Sequence, residues 1–187
     1  MAVMTGLSRD SASWTIDDLE QLPDDGQRYE LLDGVLLVSP APVVKHQAAV
    51  HSVARALDSV CPPEFVVLIA PVDWQPDRRT SFQPDVLVTP NRDLGVKNLT
   101  EPLTLAVEVL SPSTRSQDLL GKRLKYESAG VASYWVVDPE APSVLAWDLI
   151  DGHYQVVGEA QGDQQLSLLQ PFPITLSIGS LLARYNW

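Results

Sequence analysis

Residues 103–139 read LTLAVEVLSPSTRSQDLLGKRLKYESAGVASYWVVDP. The run Leu105-Ala106-Val107-Glu108-Val109-Leu110 is short and almost continuously apolar, the pattern of a strand covered on both faces. From Ser116 to Gly130, apolar and charged residues recur at helical spacing. Ser116 stands as an N-cap and Gly130 as the C-terminal stop. Ser133 to Asp138 is a second apolar run, ended by Pro139. Strand, helix and strand in this order predict a right-handed parallel crossover.

Working outward, residues 28–40 read as two apolar strands joined by Asp33-Gly34, and residues 143–160 alternate around Asp151-Gly152, which predicts a β-hairpin at both. FVVLIAPVDW, residues 65–74, reads as one buried strand, and TSFQPDVLVTP, residues 80–90, as another. Residues 14–23 predict a short helix with acids in its first turn, stopped by Pro23. A longer helix follows Pro42. Its apolar stripe is Val44, Ala48, Val50, Ala54 and Leu57, and Pro62-Pro63 ends it. Residues 177–187 read as a closing helix. The fold class is α/β: a mixed sheet with flanking helices and additional β-hairpins. Residues 1–13 form a loose N-terminus and residues 14–187 a single domain.

A chain of 187 residues, 45% hydrophobic, is long enough for one core and short for two. Cys61 is the single cysteine, so no intramolecular disulfide forms and a reducing compartment is the simpler reading. The N-terminus lacks a signal-peptide pattern. The longest apolar stretch, near Phe65 to Val72, falls far short of the roughly 20 residues a membrane span needs. The expected location is cytoplasmic, with no membrane partner. The net charge of −11 opposes a generic basic nucleic-acid binder and predicts weak, salt-sensitive, non-specific binding at best.

Two acids stand out against their surroundings. Glu108 lies inside an apolar strand, where an ionised carboxylate is costly unless a cation or donors compensate it. Asp85 follows Pro84 and opens the run Val86-Leu87-Val88, 23 residues before Glu108, a spacing that lets adjacent strands bring the two together. Paired carboxylates repel, and bound Mg²⁺ or Mn²⁺ is the usual remedy. Simpler readings stand beside this one: turn chemistry for Asp85 and a salt bridge to the next helix for Glu108. Asp118, Lys122 and Tyr126 recur at i, i+4 and i+8 and share a helix face. An ordinary exposed ion pair, worth about 0.3–0.5 kcal/mol, accounts for the first two. Arg115, Lys122, Arg123 and Lys125 form the densest basic cluster, which a solvated face explains equally well.

Other chemistries lack their motifs. His46 and His51 are not spaced as an H-E-x-x-H zinc pair, and a surface or capping role is expected for His46. Ser111 and Ser113 have no G-x-S-x-G context. No phosphate-binding glycine loop is present.

The blocks YELLDG (29–34), QPDVLV (83–88), VEVLSPST (107–114), DLLGKRLKY (118–126) and AGVASYWVVDP (129–139) occur in an order that resembles the Uma-two family. These are bacterial proteins described as restriction endonucleases within the PD-(D/E)XK nuclease superfamily. The resemblance runs from Trp14 to the C-terminus and is most specific between Gln83 and Pro139. It implies a restriction-endonuclease-like fold and hydrolysis of nucleic-acid phosphodiester bonds, with DNA the leading substrate. Asp85 and Glu108 are implied as ligands of Mg²⁺ (or Mn²⁺). The simplest form of the motif has its catalytic lysine two residues after the second acid, where this chain has Leu110. The resemblance therefore implies Lys122 in that role, with Lys125 the less favoured candidate. Glu30 resembles the N-terminal acid of such sites; the alternative is a strand-edge acid beside a hairpin. Asp118 and Tyr126 resemble positioning residues, and Gln83 one that approaches the site. A homodimer is implied as well. Two alternatives stand: a catalytically inactive nuclease-fold module that binds or interacts, which the net charge and Leu110 favour, and a structural protein that dimerises through an exposed hairpin.

Overall fold

A computed structural model describes residues 13–111, 115 and 117–182. The described part opens with α1 (Ile16–Leu19), β1 (Arg28–Leu32), β2 (Val35–Ser39) and α2 (Val44–Asp58). Then come β3 (Phe65–Ile69), β4 (Trp74–Asp77), β5 (Thr80–Phe82), β6 (Val86–Pro90) and β7 (Leu105–Val109). A π-helix (Gln117–Lys122) runs directly into α3 (Arg123–Ser128). The described part ends with β8 (Ser133–Asp138), β9 (Ser143–Ile150), β10 (His153–Gln161), β11 (Gln165–Leu168), β12 (Ile174–Ser177) and α4 (Ile178–Leu182). The expected cap Ser116 and the end of the closing helix lie outside the described residues.

Six strands form the main sheet in the order β10-β9-β8-β7-β6-β3. Its only parallel pair among the described strands is β7 with β8, the pair that the strand–helix–strand reading requires. The sheet is therefore mixed, as expected. A second sheet, β2-β1-β5-β4, and the β11-β12 hairpin complete the β-structure of the described residues. Asp33, Gly34, Asp151 and Gly152 all have positive φ, the conformation that a tight two-residue hairpin turn demands.

The main sheet separates two cores. On one face α2, α4 and the β11-β12 hairpin cover an aliphatic cluster that includes Val53, Leu57, Val86, Val107 and Ile178. On the other, the second sheet and α3 enclose Trp74, Phe82, Tyr126, Tyr134 and Trp147. Their rings pack in series, Trp74 to Tyr126 at 5.2 Å, Tyr126 to Tyr134 at 5.0 Å and Tyr134 to Trp147 at 5.7 Å between centroids.

Three local expectations are corrected. Residues 65–74 are not one buried strand: β3 is a half-buried edge strand, and Trp74 belongs to β4 in the other region of the molecule. Residues 80–90 likewise divide into β5 and β6, parted at Pro84, which has no amide hydrogen for a ladder. Helix α2 stops at Asp58, ahead of Pro62. Its buried stripe is His46, Ala49, Val50, Val53 and Leu57, while Val44 is exposed because it lies on the solvent side of the first turn. The β11-β12 hairpin had no expectation at all. No described helix is long and apolar enough to cross a membrane.

Candidate active site

The β6-β7 register pairs Val86 with Val107 in antiparallel fashion. One step further along, Asp85 stands across from Glu108, and directly opposed residues share a face of the sheet. The Val109 amide donates to Asp85 Oδ2 at 2.8 Å, which ties the two positions together. Both acids belong to the face that carries Leu87 and Ala106, on the aromatic side.

Lys122 reaches this place from the π-helix. Its ammonium lies 3.1 Å from Glu30, 3.1 Å from Glu108 Oε1 and 3.7 Å from Asp118 Oδ1. It also sits 5.3 Å from the centroid of the Phe82 ring. Tyr126 donates to the same Glu108 oxygen at 2.8 Å. The Gln83 backbone N–H donates to Glu30 Oε1 at 2.8 Å. Gly121 allows the close approach, since a Cβ there would meet Leu32 Cδ2 of β1 at 3.0 Å. Glu30, Glu108, Asp118 and Lys122 are each only 2–3% exposed.

Asp85 has its own set of partners. The Arg28 guanidinium lies 3.2 Å from Oδ1 and also donates to both the backbone carbonyl and the side chain of Gln83. His46 Nε2 is 3.2 Å from Oδ2. All seven expected site residues therefore meet at one place, joined by Arg28 and His46.

The electrostatics separate the two central acids. Burial raises the Asp85 pKa, but the His46 hydrogen bond, the Arg28 charge and the Val109 amide outweigh it and hold the carboxyl below its usual value. Burial pushes Glu108 well above the usual carboxylate range. Lys122 opposes that shift, while Asp118, Asp85 and Glu30 add to it. For Lys122, burial favours the neutral amine, yet Glu108, Glu30 and Asp118 prevail and keep it protonated. One lysine thus serves three acids: their surplus of negative charge falls on Glu108, whose ionised form is the least compensated and whose pKa rises accordingly.

That surplus and the hard oxygen donors fit a divalent cation. Among the described residues no three His, Cys, Asp or Glu side chains form a closed metal cage. Mg²⁺ does not need one, because it commonly binds one or two carboxylates and completes its shell with water and substrate phosphate. Asp85 and Glu108, on one face of the sheet, offer carboxylate oxygens of that kind.

Several simpler readings are corrected. Asp118 and Lys122 are a buried pair rather than an exposed one, because the second sheet packs over their helix face. Glu30 is not on a strand edge: β1 lies between β2 and β5. His46 is neither a surface residue nor a cap. It is the first member of the buried stripe of α2, turned toward Asp85. The basic cluster is a solvated face only at Arg115, and its members are engaged one by one. Arg115 pairs with Asp138 at 2.5 Å, Lys125 with Asp33 at 2.6 Å and Asp77 at 2.8 Å, and Arg123 lies 5.8 Å from the Trp147 ring centroid. Lys125 is thus engaged by Asp33 and Asp77 rather than by the site acids Glu30, Glu108 and Asp118. Arg28 was missed, although the two-residue period of a strand puts it on the same face as Glu30.

Comparison with solved structures finds a protein from Anabaena variabilis described as "a putative nuclease belonging to DUF820". It is 20% identical, the match covers 90% of this chain and 97% of that one, and the TM-score is 0.72. At that identity the likeness establishes the shared fold. No curated protein matches the chain. A family model described as "Putative restriction endonuclease" matches residues 16–182, from the first turn of α1 to the last described residue of α4, and the chain therefore belongs to the Uma2 family.

Proposed function

We propose that the chain is a metal-dependent endonuclease acting on DNA, with Asp85, Glu108 and Lys122 as its catalytic residues. One observation carries this reading: two buried acids from adjacent strands share a face, and a buried lysine contacts one of them. Family membership supports the reaction class. Mg²⁺ or Mn²⁺ held by Asp85 and Glu108 would polarise a phosphoryl oxygen and lower the pKa of bound water.

The chain's own residues do the rest. Lys122 offsets the negative charge that builds on the phosphoryl oxygens. Glu30 and Asp118 fix its ammonium in place, Gln83 fixes Glu30, and Tyr126 fixes Glu108. Arg28 and His46 hold Asp85 ionised and oriented. In the reaction the water oxygen bonds to phosphorus as the bond from phosphorus to the leaving oxygen breaks. One water proton ends on the leaving oxygen, and the other is released from the new phosphate group. Cutting both strands of a duplex takes two such sites, which a homodimer would supply.

The test is nicking of supercoiled plasmid at low salt with Mg²⁺ or Mn²⁺, comparing wild type with Glu108→Ala. Metal-dependent nicking by the wild type alone is the expected result. Equal nicking by both proteins overturns the site assignment. Nicking by neither moves the non-catalytic module ahead, a reading that Leu110 at the motif lysine position favours.

A further inference from the structure

Asp85, Glu108 and Lys122 line a cavity of about 830 Å³, together with residues of α1 and of the segment before α2. This volume is in the range that encloses a small-molecule-sized ligand, about 300–1,000 Å³. The three residues are 2–4% exposed, so a partner must send part of itself inward to reach them.

The walls have a definite chemistry. Leu19, Leu22, Tyr29, Pro40, Pro42 and Val43 line the approach with apolar surface. Each described lysine and arginine lining the cavity already has a carboxylate partner: Arg28 with Asp85, Lys122 with Glu30 and Glu108, and Lys97 with Glu20. Asp24 and Asp73 add further negative charge. Whereas a flexible single strand can turn its phosphates to solvent and its bases to a wall, a duplex is rigid, presents every phosphate outward and needs cations along its path. This cavity offers it none that are uncommitted among the described lining residues. Apolar walls instead suit the faces of bases, which a stacked duplex hides and an unpaired strand presents.

We infer that the cavity takes an unpaired stretch of a DNA strand, whose bases lie against the apolar approach while one phosphate reaches the acids. The inference rests on the nuclease reading and names its substrate class. On an unpaired strand a single site suffices.

The experiment compares one plasmid in two covalently closed forms, negatively supercoiled and relaxed, with wild-type protein and Mn²⁺. Supercoiling opens unpaired stretches, so the supercoiled form should be nicked at least about tenfold faster. A 30-nucleotide single strand, free and annealed to its complement, should show the same preference. Equal rates on paired and unpaired DNA overturn the inference and leave the nuclease reading standing. No cleavage of any form removes both together.

Val43→Ser supplies the second arm. Val43 is the exposed N-cap position of α2, where serine is favourable, so folding is not at risk. The variant should raise KM for the single strand by at least about threefold with little change in kcat, because it removes apolar contact and touches no acid. An unchanged KM overturns the base-contact assignment.

Discussion

The two faces of the main sheet bury similar kinds of backbone under different side chains. On the α2 side the cluster is aliphatic throughout, apart from Trp135 and Phe172, with no charged member. On the other side aromatic rings surround a group of buried ions, and His46 and Val109 link the faces at the sheet's end. An aliphatic core is held by area and shape, and its losses scale with the volume removed. A buried ionic group is held by mutual compensation, and removing one member leaves the others unpaired. The first face supports the sheet; the second is where the sheet can do chemistry.

The sharpest break in that contrast is Lys122→Met. It removes the one ammonium shared by Glu30, Glu108 and Asp118, and should cost about 3–5 kcal/mol and abolish cleavage. The loss, read from urea midpoints, should be smaller at pH 5 than at pH 8, because protonated acids need less compensation. An equal loss at both pH values contradicts the ionic account. Leu57→Ala, wholly buried in the aliphatic cluster, should cost about 2–5 kcal/mol and the same at both pH values.

A subtler effect follows from Glu108. Its folded pKa is raised, so its contribution to stability is fully present below the unfolded carboxyl pKa and is lost as pH rises through the folded value. Metal-free wild type should therefore lose stability over that interval, and Glu108→Gln should lack this loss, as thermal melts from pH 4 to 9 would show. The smallest effect belongs to the surface. Arg78→Ala breaks an ion pair to Asp17 that is exposed on both sides and should leave the urea midpoint unchanged within error.

What sequence could reveal followed from local contrast. Glu108 was visible because a charge inside an apolar strand needs an explanation, and both Asp-Gly turns because their backbone demands are local. Arg28 and His46 were not visible as partners of Asp85, which lies 57 and 39 residues away. The split of β3 from β4 depends on which sheet each joins, a tertiary matter that apolarity does not encode. The basic cluster misled for the same reason. Sequence displays four cations together, but only the fold shows that Asp138, Asp33, Asp77 and the three site acids engage three of them while Trp147 lies beside Arg123.

Lys125 has a mechanical role. Its ammonium fastens the tip of the β1-β2 hairpin at Asp33 and the β4-β5 turn at Asp77 to α3, one residue from Tyr126 and three from Lys122. The small sheet and the helix are thereby clamped into one lever, with Glu30 on one arm and Lys122 on the other. A pull on either hairpin tip is transmitted to the ammonium among the acids. Backbone amides of Leu31, Ser81 and α3 should accordingly exchange with solvent in a single cooperative opening, as one unit that comes apart together.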